Sequence, residues 1–110
     1  MARLMQSIKF AKPDFPLGEN ITVRLGTGKA KTLTVGGILQ LTDQDGEPQA
    51  KAVCEWVWAG PICLMPLHWL PYEHDEDART LRGLKAVLKE CYPDEEIDND
   101  TIVSVVGFFL

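Results

Sequence analysis

The stretch Asn20-Ile21-Thr22-Val23-Arg24-Leu25-Gly26-Thr27-Gly28-Lys29-Ala30-Lys31 begins as a strand and ends as a basic turn. Ile21, Val23 and Leu25 alternate with Thr22 and Arg24, the period-two pattern of a strand with one apolar and one polar face. Gly26 to Lys31 then reads as a turn-rich loop. Arg24, Lys29 and Lys31 are three cations with no acid between them, in a chain of net charge −5. That island of positive charge is the first candidate for a site.

Outward from it, Gln6 to Phe10 reads as a short first strand. Lys12 to Gly18 carries Pro13, Pro16 and Gly18 and reads as a loop or a single irregular helical turn. On the other side, Leu33 to Thr42 is a strand region interrupted at Gly36-Gly37, with Ile38 to Thr42 its clearer part. Asp43-Gln44-Asp45-Gly46-Glu47-Pro48 is a hairpin turn. A calcium loop is excluded there, because the Gly directly follows the second Asp and position 52 is Ala.

Gln49 to Ala59 reads as a strand with Ala50, Ala52, Cys54, Trp56 and Trp58 on one face. Lys51, Val53, Glu55 and Val57 take the other. The two tryptophans suit a core or groove wall, or a stacking surface for a ring. Pro61 to Pro71 is an apolar, proline-punctuated covering loop, with or without a short turn. Leu81, Leu84, Val87, Leu88 and Cys91 form the apolar stripe of a helix, with Thr80 as N-cap and Pro93 beyond its end. Gly83 within it costs about 1 kcal/mol relative to Ala. Asp94 to Asp100, with five acids in seven residues, is a solvated loop. Thr101 to Leu110 is a final strand, apolar on both faces apart from Ser104, and belongs inside a sheet rather than at its edge. The expected fold is α+β: a small, curved, mostly antiparallel sheet or barrel with one main helix and a short helical segment.

At 110 residues the chain is expected to be one domain, 1–110. No apolar run approaches the ~20 residues of a membrane-spanning helix, and none follows Arg3 in the manner of a signal peptide. Cys54, Cys63 and Cys91 are odd in number and widely spaced, which favours reduced thiols buried as small apolar residues, in a cytoplasmic protein. Residues 1–51 hold seven Lys/Arg against five Asp/Glu, and residues 52–110 four against eleven. This balance opposes binding of long duplex DNA but leaves room for a small anionic or polar ligand at one basic spot.

Three motifs in order resemble the ASCH family of PUA-like β-barrels. They are Ile21-Thr22-Val23-Arg24-Leu25-Gly26, then Leu33-Thr34-Val35-Gly36-Gly37 leading into the strand from Ile38, then the helix from Leu81 ending in Tyr92-Pro93. An apolar strand with Phe108 and Phe109 follows. The similarity runs from about Ser7 to Leu110. The resemblance implies a PUA-like barrel with a cleft against the Thr22–Arg24 strand, and a role in RNA, nucleoside or nucleotide recognition. Some small members hydrolyse acetylated cytidine with the motif Lys-Thr-x-Thr-x-Arg. Carried over, its second Thr falls on Thr22, its Arg on Arg24, its Lys on Glu19 and the Thr beside it on Asn20. The family acid falls on or near Asp77.

Thr22, Glu19 and Asp77 are therefore the residues an amidohydrolase would use, with Thr22 as nucleophile. Glu19 reverses the charge that a lysine base would bring. Thr22, Arg24, Thr27, Lys29 and Lys31 are the expected ligand contacts. Gly26-Thr27-Gly28-Lys29-Ala30 is not a P-loop, since Val23 stands at the first Gly position and Ala30 replaces the Ser/Thr. Cys63, His68 and His74 are too few and too dispersed for zinc, and His68 is expected to pack among Leu67, Trp69 and Leu70. No metal or cofactor is expected. A third reading is a protein-interaction module whose acidic segment 94–100 meets a basic partner.

Overall fold

The computed structural model describes residues 5–110, so Arg3 and the N-terminal segment considered above lie outside the described residues. Five strands form one mixed sheet: β1 (Met5–Lys9), β2 (Glu19–Leu25), β3 (Ile38–Thr42), β4 (Pro48–Pro61) and β5 (Ile102–Phe109). Their spatial order is β1-β3-β4-β5-β2. Three pairings are antiparallel, while β1 and β3 run parallel. The parallel pair follows from connectivity: β2 and the short helix α1 (Gly28–Thr32) intervene between them as a crossover. The apolar C-terminal strand β5 lies inside the sheet, flanked by β4 and β2.

The expected barrel is not closed, for β1 and β2 are the two edges of the ladder. The segment joining them carries Pro13 and Pro16, which donate no amide hydrogen and cannot extend the pairing. The sheet nevertheless curls. Phe10, just beyond β1, lies with its ring centroid 4.6 Å from Cζ of Arg24 on β2. Within the curl, Ile8, Phe10, Leu39, Leu41, Cys54, Val106 and Phe108 form a buried cluster.

A second cluster joins the opposite face of β2 and β5 to the main helix α2 (Leu81–Cys91) and the apolar segment before it. Ile21, Val23, Val103 and Val105 meet Ile62, Met65, Leu70, Leu84 and Leu88 there. The covering segment forms 3-10 turns at Ile62–Leu64 and Leu67–Tyr72, and a third follows at Glu76–Ala78. The Thr80 hydroxyl caps α2 by accepting from the Gly83 amide at 3.0 Å. Among the described residues no helix is long and apolar enough to cross a membrane.

Three expectations about faces and burial need correction. A bulge separates Cys54 from Trp56, since Cys54 is paired with Phe108 and Trp56 with Gly107. The extra residue inverts the alternation. Ala52, Cys54 and Val57 therefore pack inside the curl, and Trp56 and Trp58 pack on the helix side. There Trp69 meets both, at 4.5 Å from Trp56 and 5.8 Å from Trp58 between ring centroids, which favours the wall role over an open stacking platform. Cys91 and Cys63 are exposed; of the three thiols only Cys54 is buried. His68 is exposed too, resting edge-on against Trp69.

Candidate functional site: a cavity at the free edge of β2

One edge of β2 pairs with β5. The other faces the turn that follows the apolar 3-10 segment, where the His74 amide donates to the Ile21 carbonyl at 3.2 Å. This bridge carries Glu73 and His74 to the strand edge, beneath α2. A cavity of about 290 Å³ opens there, walled by Phe10, Thr22, Arg24, Glu73, Leu88 and Tyr92, among others. Alternation along β2 sends Thr22 and Arg24 to the same side.

Arg24 is held on two sides. Its Nε donates to Thr22 Oγ1 at 3.1 Å, and its guanidinium lies over the Phe10 ring. A cation placed over an aromatic face at this distance is attracted by the ring quadrupole. Burial pulls the Arg24 guanidinium below its ordinary pKa, and the charges of Tyr92 and Glu73 pull the other way. Its terminal NH2 groups have no hydrogen-bond partner among the described residues.

Glu73 is 3% exposed. Burial pushes its carboxyl up to about 8, although the Asp75 amide and Arg24 oppose the shift. Oε1 accepts from the Asp75 amide at 3.4 Å and lies 3.3 Å from His74 Nε2. Oε2 is buried without a partner among the described residues. Burial, and next Arg24, hold the His74 imidazole down at about 4. At neutral pH the Glu73–His74 contact therefore joins two neutral groups. A protonated carboxyl both donates and accepts, so the cavity presents a donor and acceptor from Glu73 beside donors from Arg24.

The other expected site residues are distributed differently. Thr22 and Arg24 come together in the cavity. Lys29 lies in a neighbouring depression that shares Arg24 and Tyr92 with it. Thr27 stands at the start of α1, Lys31 is exposed on α1, and Glu19 is exposed at the far end of β2; none lines the cavity. Asp77 is exposed and pairs with Lys12 at 2.8 Å, while Asp75 lies 3.5 Å from the same ammonium. Of the acids that line the cavity with Thr22 and Arg24, which are Glu73, Asp75 and Glu90, Glu73 is the most deeply buried. The sequence signal for it was slight: an acid placed directly after an apolar covering segment, which carries it inward.

No family model matches the chain, and no curated protein matches its sequence. Solved structures do resemble it. The crystal structure of an ASCH domain from Lactobacillus crispatus JV V101 superposes with a TM-score of 0.66 at 11% identity, over 96% of this chain and 78% of that one. A protein from Enterococcus faecalis V583, described by the family model DUF984, gives a TM-score of 0.56 at 14% identity. That match covers 84% of this chain and 61% of the other. These likenesses, with the strand order and the helix beside β2, give the chain an ASCH-like fold.

Proposed function

We propose that residues 1–110 act as one ASCH-like domain that binds a nucleoside or nucleotide, free or within RNA, in the cavity at the β2 edge. The observation that carries this is the buried Glu73 carboxyl, whose Oε2 lacks a partner among the described residues in a cavity it shares with Thr22 and Arg24. An orphaned buried oxygen costs about 1–3 kcal/mol, which a ligand hydrogen bond offsets. Apolar walls with a few convergent polar groups are the usual make-up of a small-molecule site. The volume lies near the lower end of the ~300–1,000 Å³ range of such sites, which suits one ring system rather than an oligomer. A nucleobase offers what these walls complement: a flat apolar face and an edge of alternating donors and acceptors. The approach of Phe10 to Arg24 supports a curl of the sheet over that site. The exposed free thiols favour a reducing compartment, the cytoplasm.

The experiment is calorimetric titration of the ribonucleosides into wild type and Glu73→Gln, Arg24→Ala and Thr22→Ala variants. Saturable binding by wild type and a loss of about tenfold or more in Arg24→Ala is the expected result. Equal affinities across the set would exclude the cavity as the site. A hydrolytic reading is favoured by one observation, that Thr22 shares the cavity with an acid of raised pKa. In that reading Glu73, which lines the same cavity as Thr22, takes the acid–base role that the family resemblance gave to Glu19 or Asp77. Deacetylation of acetylated cytidine above a Thr22→Ala control supports it; no turnover leaves binding alone.

A further inference from the structure

The depression beside the cavity measures about 330 Å³ and is lined by Arg24, Leu25, Gly28, Lys29, Thr32 and Tyr92. Arg24 and Tyr92 belong to both hollows, so the two meet along these side chains. Their charge differs. The inner cavity sets Lys9, Lys12 and Arg24 against Glu73, Asp75 and Glu90. The outer depression holds two cations and no acid.

Lys29 is unlike the lysines of α2. Lys85 donates to Asn99 Oδ1, and Lys89 donates to the Pro93 and Glu95 carbonyls. Among the described residues Lys29 Nζ has neither hydrogen bond nor ion pair, yet its side chain is partly buried. Burial first, and Arg24 second, lower its pKa. Arg24 is fixed through its Nε and the Phe10 face, which leaves the terminal NH2 groups as a pre-set fork. A fork of this kind matches phosphate oxygens, and an ammonium beside it supplies a point charge.

We propose that Arg24 and Lys29 form a phosphate subsite at the mouth of the β2-edge cavity, so that the ligand is a phosphorylated nucleoside. The proposal rests on the reading of that cavity as a nucleoside site. The base occupies the inner cavity, and the phosphate sits between the guanidinium and the ammonium. The phosphate can come from a free mononucleotide or from an RNA chain; the chemistry recognised is the same.

The test compares the four ribonucleosides with their 5′-monophosphates, with dinucleoside monophosphates and with inorganic phosphate. Wild type, Lys29→Gln and Lys29→Arg are each titrated by calorimetry and by amide-resolved NMR. In wild type the 5′-phosphate is expected to tighten binding about tenfold or more, an increment lost in Lys29→Gln and restored in Lys29→Arg. Inorganic phosphate alone is expected to shift the amides of Gly28 to Thr32. Tighter binding of the diester than of the monophosphate identifies RNA as the source; the reverse identifies a free nucleotide. If nucleosides bind and the phosphate adds nothing, the subsite is overturned and the cavity reading stands. If inorganic phosphate shifts those amides and no nucleoside binds, the cavity reading fails and an anion site remains. No response to any of the probes overturns both.

Discussion

Glu73 and His74 are adjacent residues with opposite titrations. The Glu73 carboxyl titrates near 8 in the fold against an ordinary 4.5, so the folded state keeps its proton while the unfolded chain loses it. Stability from this group is full below pH 4.5 and falls as pH rises toward 8, by up to about 1.4 kcal/mol per unit. His74 titrates near 4 against 6.5, so its contribution is full above 6.5 and falls as pH drops toward 4. Between 4.5 and 6.5 the two slopes cancel, and a plateau with an alkaline decline from 6.5 to 8 is expected. Urea denaturation across pH checks this: Glu73→Gln should lose the alkaline decline, and a retained decline would assign it to another group. Neither residue stood out in the sequence. The family resemblance drew attention to Asp77, whereas what distinguishes Glu73 is burial. Burial depends on how the apolar 3-10 segment folds against β2, which no spacing rule encodes. Thr22 and Arg24 were legible because strand alternation alone puts them on one side.

At the scale of elements, two close approaches decide how the pieces fit. Trp56 lies on Gly107 across the β4–β5 ladder, where a Cβ at position 107 would stand 2.2 Å from the indole Cε2. Gly107→Ala should therefore destabilise by about 1–3 kcal/mol, read as a lower urea midpoint, with a change in tryptophan fluorescence as the ring is displaced. Gly83 reverses the expectation from helix propensity. A Cβ there would meet the Asp77 carbonyl oxygen at 2.1 Å, so the glycine lets the Glu76–Ala78 turn close onto α2. Gly83→Ala should thus lower stability despite a propensity gain of about 1 kcal/mol; a higher midpoint would contradict this packing. Hairpin, main helix, Thr80 cap and interior C-terminal strand all follow from local patterns, and the structure has them. The bulge at Glu55 is different. It inserts one residue into a regular-looking alternation, and only the pairing partner on β5 reveals that the tryptophans have changed sides.

For the whole molecule, charge and curvature set what can bind. The chain carries −5, and the acidic segment 94–100 is mostly exposed beyond the end of α2. With one phosphate held between Arg24 and Lys29, single-stranded RNA should show a salt slope of about −0.7 in log affinity against log salt. That is a loss of roughly 2.5-fold between about 50 and 200 mM, far below that of a protein making many phosphate contacts. Fluorescence anisotropy of a labelled oligonucleotide measures it, and a slope several times steeper would move binding to a broader surface. The mixed α+β architecture was readable, because each strand and the main helix carries its own pattern. The open ladder was not, because closure depends on whether the proline-bearing segment lets β1 reach β2. The curl still brings Phe10 onto Arg24 and so builds the cavity on which the functional account depends. Amide-resolved NMR of the labelled protein with ribonucleoside 5′-monophosphates tests that account most directly. The shifts should concentrate at Thr22 to Arg24 and at Glu73 and His74, and extend to Lys29. Shifts confined to the surface around Leu64 and Leu67, or none at saturating nucleotide, would contradict it.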